Sequence, residues 1–143
     1  MLDLNTTEAR RKVFAPTLDW LNAGGHAAYD GVVLGFDMSE VILTTEDNDG
    51  DAPQDYNGND CGTICCMLGH QQLVNGAIGE EVYKATHKIG AYPYFEELND
   101  LFYPITHRTI GVRMAQISPA MAAATLERYI ETGEVEWRIE DLV

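Results

Sequence analysis

From Val13 to Tyr83 the chain contains no lysine and no arginine, yet the same stretch holds twelve acids: Asp19, Asp30, Asp37, Glu40, Glu46, Asp47, Asp49, Asp51, Asp55, Asp60, Glu80 and Glu81. With a formal net charge of -14 over 143 residues, such a surface repels phosphate. That argues against direct binding of nucleic acid or of an anionic membrane. Long apolar runs are also missing, and nothing approaches the ~20 residues that a membrane-spanning helix needs. The start, Met1-Leu2-Asp3-Leu4-Asn5, lacks the basic and apolar segments of a secretion signal. Cysteine is scarce. Cys61, Cys65 and Cys66 cannot all pair within one chain, so reduced thiols in a cytoplasm are expected rather than a disulfide framework. Glycine-rich phosphate loops, a His-Glu-x-x-His pair and a serine-centred elbow are absent too.

What is present suits a folded domain. Hydrophobic residues make up 45% of the chain, enough for one buried core at this length. The sequence predicts a single α+β domain over residues 1–143, mainly helical, with a small β-sheet or hairpin. Thr6-Thr7-Glu8 starts a helix carrying Val13, Phe14, Leu18 and Leu21 on one side, with Pro16 inside it and Gly24-Gly25 after it. Gly31–Phe36 and Glu40–Thr44, short, β-branched and apolar, read as two strands or as a strand and an extended segment. Thr63 to about Val74 reads as a buried helix fading near Gly76 and Gly79, and Tyr94–Phe102 as a short amphipathic one. The clearest helix is the last, with Ser118 as cap, Pro119 in the first turn and Gly133 past the end. Val135–Ile139 alternates like a strand, so the expected sheet combines segments near Val32, Val41 and Val135.

From Glu46 to Asp60 the composition turns to Asp, Asn, Gly and Pro, predicting a loop. Aligned as a calcium loop on Gly50, it places Asp47 and Asp49 at ligand positions. Thr45 and Tyr56 stand at its two ends, however, so the closing bidentate carboxylate is missing. The acids Glu46, Asp47, Asp49, Asp51, Asp55 and Asp60 are therefore read as a surface for a basic partner protein, nucleic-acid-binding proteins included, and no cofactor is expected.

The densest chemistry is Asn57-Gly58-Asn59-Asp60-Cys61-Gly62-Thr63-Ile64-Cys65-Cys66-Met67-Leu68-Gly69-His70. Packing cysteines are the leading reading, because free cysteine is among the most buried residue types. An alternative metal site would draw on Cys61, Cys65, Cys66 and His70. Cys61 pairs with Cys65 and Cys66 with His70 at i, i+4, but the two pairs point about 100° apart on a helix. An alternative catalytic set takes Cys61 as nucleophile with His70 or with His26, which is expected in a Gly24-Gly25-His26-Ala27-Ala28 turn. Pro53-Gln54-x-x-Asn57-Gly58-x-Asp60-Cys61-Gly62-x-x-x-Cys66 resembles the nucleophile segment of the ubiquitin-like-protein-specific cysteine proteases. That resemblance implies a thiolate at a helix start and a glutamine six residues earlier; Asp55 stands there instead.

A longer pattern runs through Phe36-Asp37-Met38, Cys61-Gly62-Thr63-x-x-Cys66-x-x-Gly69-His70, Leu101-Phe102-Tyr103-Pro104, Ile117-Ser118-Pro119-Ala120 and Gly133-Glu134-Val135-Glu136-Trp137. It resembles a group of small, uncharacterised proteins of bacteria and their phages. The resemblance implies a bacterial cytoplasm and a structural use of Gly62, Thr63, Gly69 and Cys66, but no activity. The expected function is thus a non-enzymatic acidic binding protein of phage or mobile-element type, an inhibitor occupying a basic surface of its partner.

Overall fold

The computed structural model describes residues 3–40, 42–87, 100–102 and 116–138. Helix α1 (Thr7–Asn22) begins where the Thr6 hydroxyl accepts a hydrogen bond from the Ala9 amide at 3.1 Å, which satisfies one of the first-turn donors. It buries Val13, Phe14, Thr17, Leu18 and Leu21, a stripe at helical spacing. Strands β1 (His26–Tyr29), β2 (Val32–Phe36), β3 (Ile42–Thr44) and β4 (Thr63–Cys65) make one sheet in the order β1-β2-β4-β3. β2 and β4 run parallel, and the outer pairs are antiparallel. Helices α2 (Met67–Val74), α3 (Gly76–His87) and α4 (Pro119–Thr132) complete the α+β fold.

α1 and α4 pack antiparallel, as shown by contacts between the start of one and the end of the other. Buried Arg10 donates from Nε to the Ile130 carbonyl at 3.0 Å and from Nη1 to the Leu4 carbonyl at 2.9 Å. Its cation thus meets the negative end of α4, and Arg11 pairs with Glu127 and Glu131 beside it. Ser118 accepts from the Met121 amide, Pro119 occupies the first turn, and Gly133 closes the helix in the left-handed region at φ 77°. Between the helices Phe14 meets Tyr129 edge-on at 5.7 Å and Phe102 at 6.2 Å.

Four expectations need correcting. Thr63–Cys65 is a strand, not the first turn of a helix: its β-branched residues complete ladders on both sides, and the helix starts only after Cys66. A further helix, α3, follows at Gly76. Gly79 is needed there because a Cβ would lie 2.0 Å from the Gln71 carbonyl oxygen. His26 sits on a strand and not in a turn. Residues 134–138 form no strand; Trp137 is buried instead, donating its indole N–H to the Asp100 carbonyl at 3.0 Å. Of the expected 94–102 helix only residues 100–102 are described, and they are helical. Val41, Ile139, Tyr92, Tyr94, Phe95, Tyr103 and His107 lie outside the described residues.

A polar network crosses the core. Gln71 donates to the Val13 carbonyl, next to the turn that Pro16 interrupts. Thr17 Oγ1 donates to Gln71 Oε1 at 2.6 Å and lies 2.9 Å from His70 Nδ1. The His70 ring stacks on Trp20 at 4.1 Å. Burial pushes the His70 imidazole down to about 4, so the native ring is neutral at all ordinary pH. Below about 6.5 the unfolded chain takes up a proton that the folded chain refuses. Stability should therefore fall as pH drops from 6.5 towards 4, by roughly 3 kcal/mol at about 1.4 kcal/mol per unit. Denaturant titrations should show this slope in the native protein and a flattened one in His70→Gln.

Candidate functional site

Register places the site. β1 and β2 pair His26 with Gly35, and β2 and β4 pair Gly35 with Ile64, so these three share one face of the sheet. The residues paired across the other face, Leu34, Phe36 and Cys65, belong to the helical core, whereas Cys61 and Ile64 are buried outside it. A hairpin over residues 53–61 covers the second face. It is held by a bridge between Gln54 and Asp60, by the Cys61 amide donating to the Pro53 carbonyl at 2.9 Å, and by the Tyr56 amide donating to the Phe36 carbonyl at 2.6 Å. The loop expected over 46–60 is thus two pieces: a run of turns to residue 51, and a hairpin folded back onto the sheet.

The hairpin closes on a carboxylate. Asp55 is 6% exposed. Its Oδ1 accepts from the backbone amides of Asn57 and Asn59, each at 2.9 Å, and its Oδ2 from Asn59 Nδ2 at 3.3 Å. His26 Nδ1 lies 3.1 Å from the same Oδ2. Burial works to raise this carboxyl, but the hydrogen bonds from Asn59, His26 and Asn57 outweigh it and hold it below the ordinary aspartate value. Cys61 Sγ stands 3.5 Å from His26 Nδ1 and 3.5 Å from the Asn59 carbonyl. Gly35 is the floor beneath: a Cβ there would come within 2.6 Å of both Asp55 Cβ and Cys61 Sγ. Only glycine allows this approach.

A cysteine, a histidine and an aspartate together suggest a thiol hydrolase, but the connectivity is wrong for one. In a nucleophile–base–acid relay the base uses one ring nitrogen for the nucleophile and the other for the acid. Here Asp55 and Cys61 both address Nδ1. The single proton on that nitrogen goes to the carboxylate, and the thiol is left to face the Asn59 carbonyl. Burial pushes the Cys61 thiol up to about 11, and the charges of Asp55 and Asp60 push in the same direction. No helix start favours its thiolate, since α2 begins six residues later.

The other expected residues disperse. Cys65 and Cys66 are in the core with thiols raised by burial, and His70 is committed to Thr17 and Trp20. The set Cys61, Cys65, Cys66 and His70 is therefore split between the two faces of the sheet. Asp55 leaves the acidic surface to which it was assigned, whereas Glu46, Asp47, Asp49, Asp51 and Asp60 are exposed. Asp47 also accepts from the Thr44 amide and hydroxyl, tying the turn after β3. Sequence reasoning missed Gly35 and the pairing of Asp55 with His26. The signal available was the Gly within an apolar strand, which marks close approach of another backbone or side chain.

An open groove of about 650 Å³ lies elsewhere, between the end of α1, the start of α4 and the hairpin tip. Its lining includes Leu21, Tyr56, Asn57, Pro119 and Ala123 but neither Cys61 nor His26. Among the described residues, no helix is long and apolar enough to cross a membrane. No family model, curated protein or solved structure matches the chain.

The native Cys61 thiol should react with iodoacetamide at pH 7.5 at least about tenfold more slowly than a free cysteine, because so little of it is thiolate. Peptide mapping of the alkylated native protein checks this. Labelling of Cys61 at the free-cysteine rate would contradict the geometry and restore the nucleophile reading.

Proposed function

We propose that this protein is a non-enzymatic acidic binding protein, an inhibitor that covers a basic surface of a partner protein, nucleic-acid-binding surfaces included. The observation supporting this is topological. β2 and β4 start at the same end of the sheet at which β1 and β3 finish. Every connection at that end is acidic: Asp30 in the β1–β2 turn, Glu46, Asp47, Asp49 and Asp51 after β3, and Asp60 before β4, all exposed. The fold thus gathers charges that the sequence scatters over thirty positions. With no lysine or arginine between Lys12 and Lys84, no basic side chain of the sheet or its loops neutralises them.

Apolar surface lies beside the acids. Tyr29 and Val32 face each other across the β1–β2 ladder and are 46% and 40% exposed. Protein interfaces combine an apolar centre with a polar rim, and this end of the sheet offers both. Charge of one sign accelerates encounter with the opposite sign and suppresses other partners. Backbone geometry adds rigidity: Gly50 N–H closes onto the Thr45 carbonyl at 2.9 Å and Thr45 N–H onto the Gly62 carbonyl at 3.3 Å, so the charges sit on a fixed frame.

The test neutralises five acids whose side chains hold little of the fold: Asp30→Asn, Glu46→Gln, Asp49→Asn, Asp51→Asn and Asp60→Asn, taking the net charge from -14 to -9. Asp30 and Asp49 have positive φ, which asparagine tolerates. Stability should hold or rise as self-repulsion falls. Against a partner captured from a bacterial lysate, association should slow and lose most of its salt dependence, and the native protein should displace nucleic acid from that partner. An unchanged association rate and salt slope would overturn the proposal.

A further inference from the structure

We propose that His26, Asp55 and Cys61 form a three-ligand binding site for a divalent transition metal, with zinc the best match. Among the described residues this is the one group of three metal-ligating side chains whose donor atoms converge, all within 4.8 Å of one another. They arrive from separate places: β1 for His26 and the two limbs of the hairpin for Asp55 and Cys61. The site lies over Gly35 with only Asp60 of the acidic end beside it, and it does not depend on the docking reading.

The two edges that meet at His26 fit a tetrahedral ion, and the third, from Cys61 Sγ to Asp55 Oδ2, lies within 4.8 Å. With Zn–S near 2.3 Å and Zn–N and Zn–O near 2.0–2.1 Å, tetrahedral edges come to about 3.6 Å for S···N and about 3.3 Å for N···O. The structure has 3.5 Å between Cys61 Sγ and His26 Nδ1, and 3.1 Å between that nitrogen and Asp55 Oδ2. The convergence of both partners on one ring nitrogen, which defeats a catalytic relay, is what ligation requires, since one sulfur, one nitrogen and one carboxylate oxygen then border a common centre. Gly35 keeps the floor clear, because any side chain there would strike the sulfur and the Asp55 Cβ.

The donor chemistry also selects. One sulfur, one imidazole nitrogen and one carboxylate oxygen suit a borderline-soft ion such as zinc, and not calcium or magnesium, which take oxygen shells. Asp55 is pre-oriented: the Asn57 and Asn59 amides hold Oδ1, while Oδ2, which accepts a longer bond from Asn59 Nδ2, lies beside His26, the outer support that ligating carboxylates require. On binding, the Cys61 thiol proton leaves to solvent and the imidazole keeps its one proton on Nε2 instead of Nδ1. A thiolate and a carboxylate then balance the dication, removing the repulsion that Asp55 and Asp60 otherwise exert on the sulfur. The His26 side chain is 39% exposed, so the fourth position opens to water or to a donor from another molecule.

Cobalt(II) is the probe, because a cobalt–thiolate bond gives a charge-transfer band that carboxylates alone cannot. Titrated into the reduced, chelator-treated chain, cobalt should saturate at one equivalent with that band, and one equivalent of zinc should displace it. Cys61→Ser should abolish the band. His26→Ala removes the tether from β1 but leaves the three hydrogen bonds that Asp55 receives from its own hairpin, so it should abolish stoichiometric binding with the far-ultraviolet circular dichroism unchanged, and decides the matter if Cys61→Ser does not fold. Asp30→Asn, Glu46→Gln, Asp49→Asn and Asp51→Asn together, which leave Asp60 beside Cys61 in place, should bind as the native chain does. Absence of the band, its survival in either site variant, or its loss in this four-acid variant would overturn the proposal.

Discussion

The buried Asp55 carboxylate is the interaction on which the distinctive half of this structure depends. Its Oδ1 ties the backbone of Asn57 and Asn59 into a closed turn, and its Oδ2 reaches His26 on β1. A buried charge costs several kcal/mol unless its hydrogen bonds are complete. This one is served by three donors from its own hairpin and a fourth from the sheet. Without it the 53–61 hairpin would lose its internal closure and its tether to β1, exposing Ile64 and Cys61, both of which are buried.

From that closure follow the two chemical features of the molecule. The hairpin brings Cys61 over Gly35 and beside His26, a compact trio facing away from the helical core. It also returns the chain to the start of β4 so that Asp60 emerges beside the turns after β3. The trio, with Asp55 and Cys61 buried and His26 at its open side, and the place of Asp60 at the acidic end are thus consequences of one folded-back segment. Self-repulsion among the acids is the cost, offset by a core in which Phe14, Phe36, Leu68, Leu126 and Ile130 are fully buried.

Much of the helical frame was legible in the sequence because its signals are local. Thr6 and Ser118 as caps, Pro119 in the first turn, and Gly133 after the last one were all read from neighbouring residues, and all are found. The sheet was harder. Thr63-Ile64-Cys65 continues into an apolar helix, and nothing local separates a buried strand from a buried helical turn when both are apolar. Strand β1 lay hidden for a similar reason, although His26 itself was among the candidate residues: Gly24 and Gly25 announce a turn, and a four-residue edge strand of His, Ala, Ala and Tyr carries almost no β signal. Asp55 was counted with its exposed neighbours because composition cannot tell a solvated acid from one whose carboxylate is consumed by backbone amides. The amides of Asn57 and Asn59 are local partners, but the burial that sets Asp55 apart comes from His26 and Gly35, which are distant in sequence.

The most direct measurement of the account is a pH titration of the Asp55 carboxyl carbon by nuclear magnetic resonance, with the amides of Asn57 and Asn59 followed alongside. A carboxylate stabilised by these donors contributes stability above its unfolded value of 3.8 and loses it as pH falls through the lower native value. The account predicts a midpoint below 3.8, with both amides shifting at the same pH. A midpoint at or above 3.8, or amides indifferent to it, would contradict the claim that this carboxylate holds the hairpin in place.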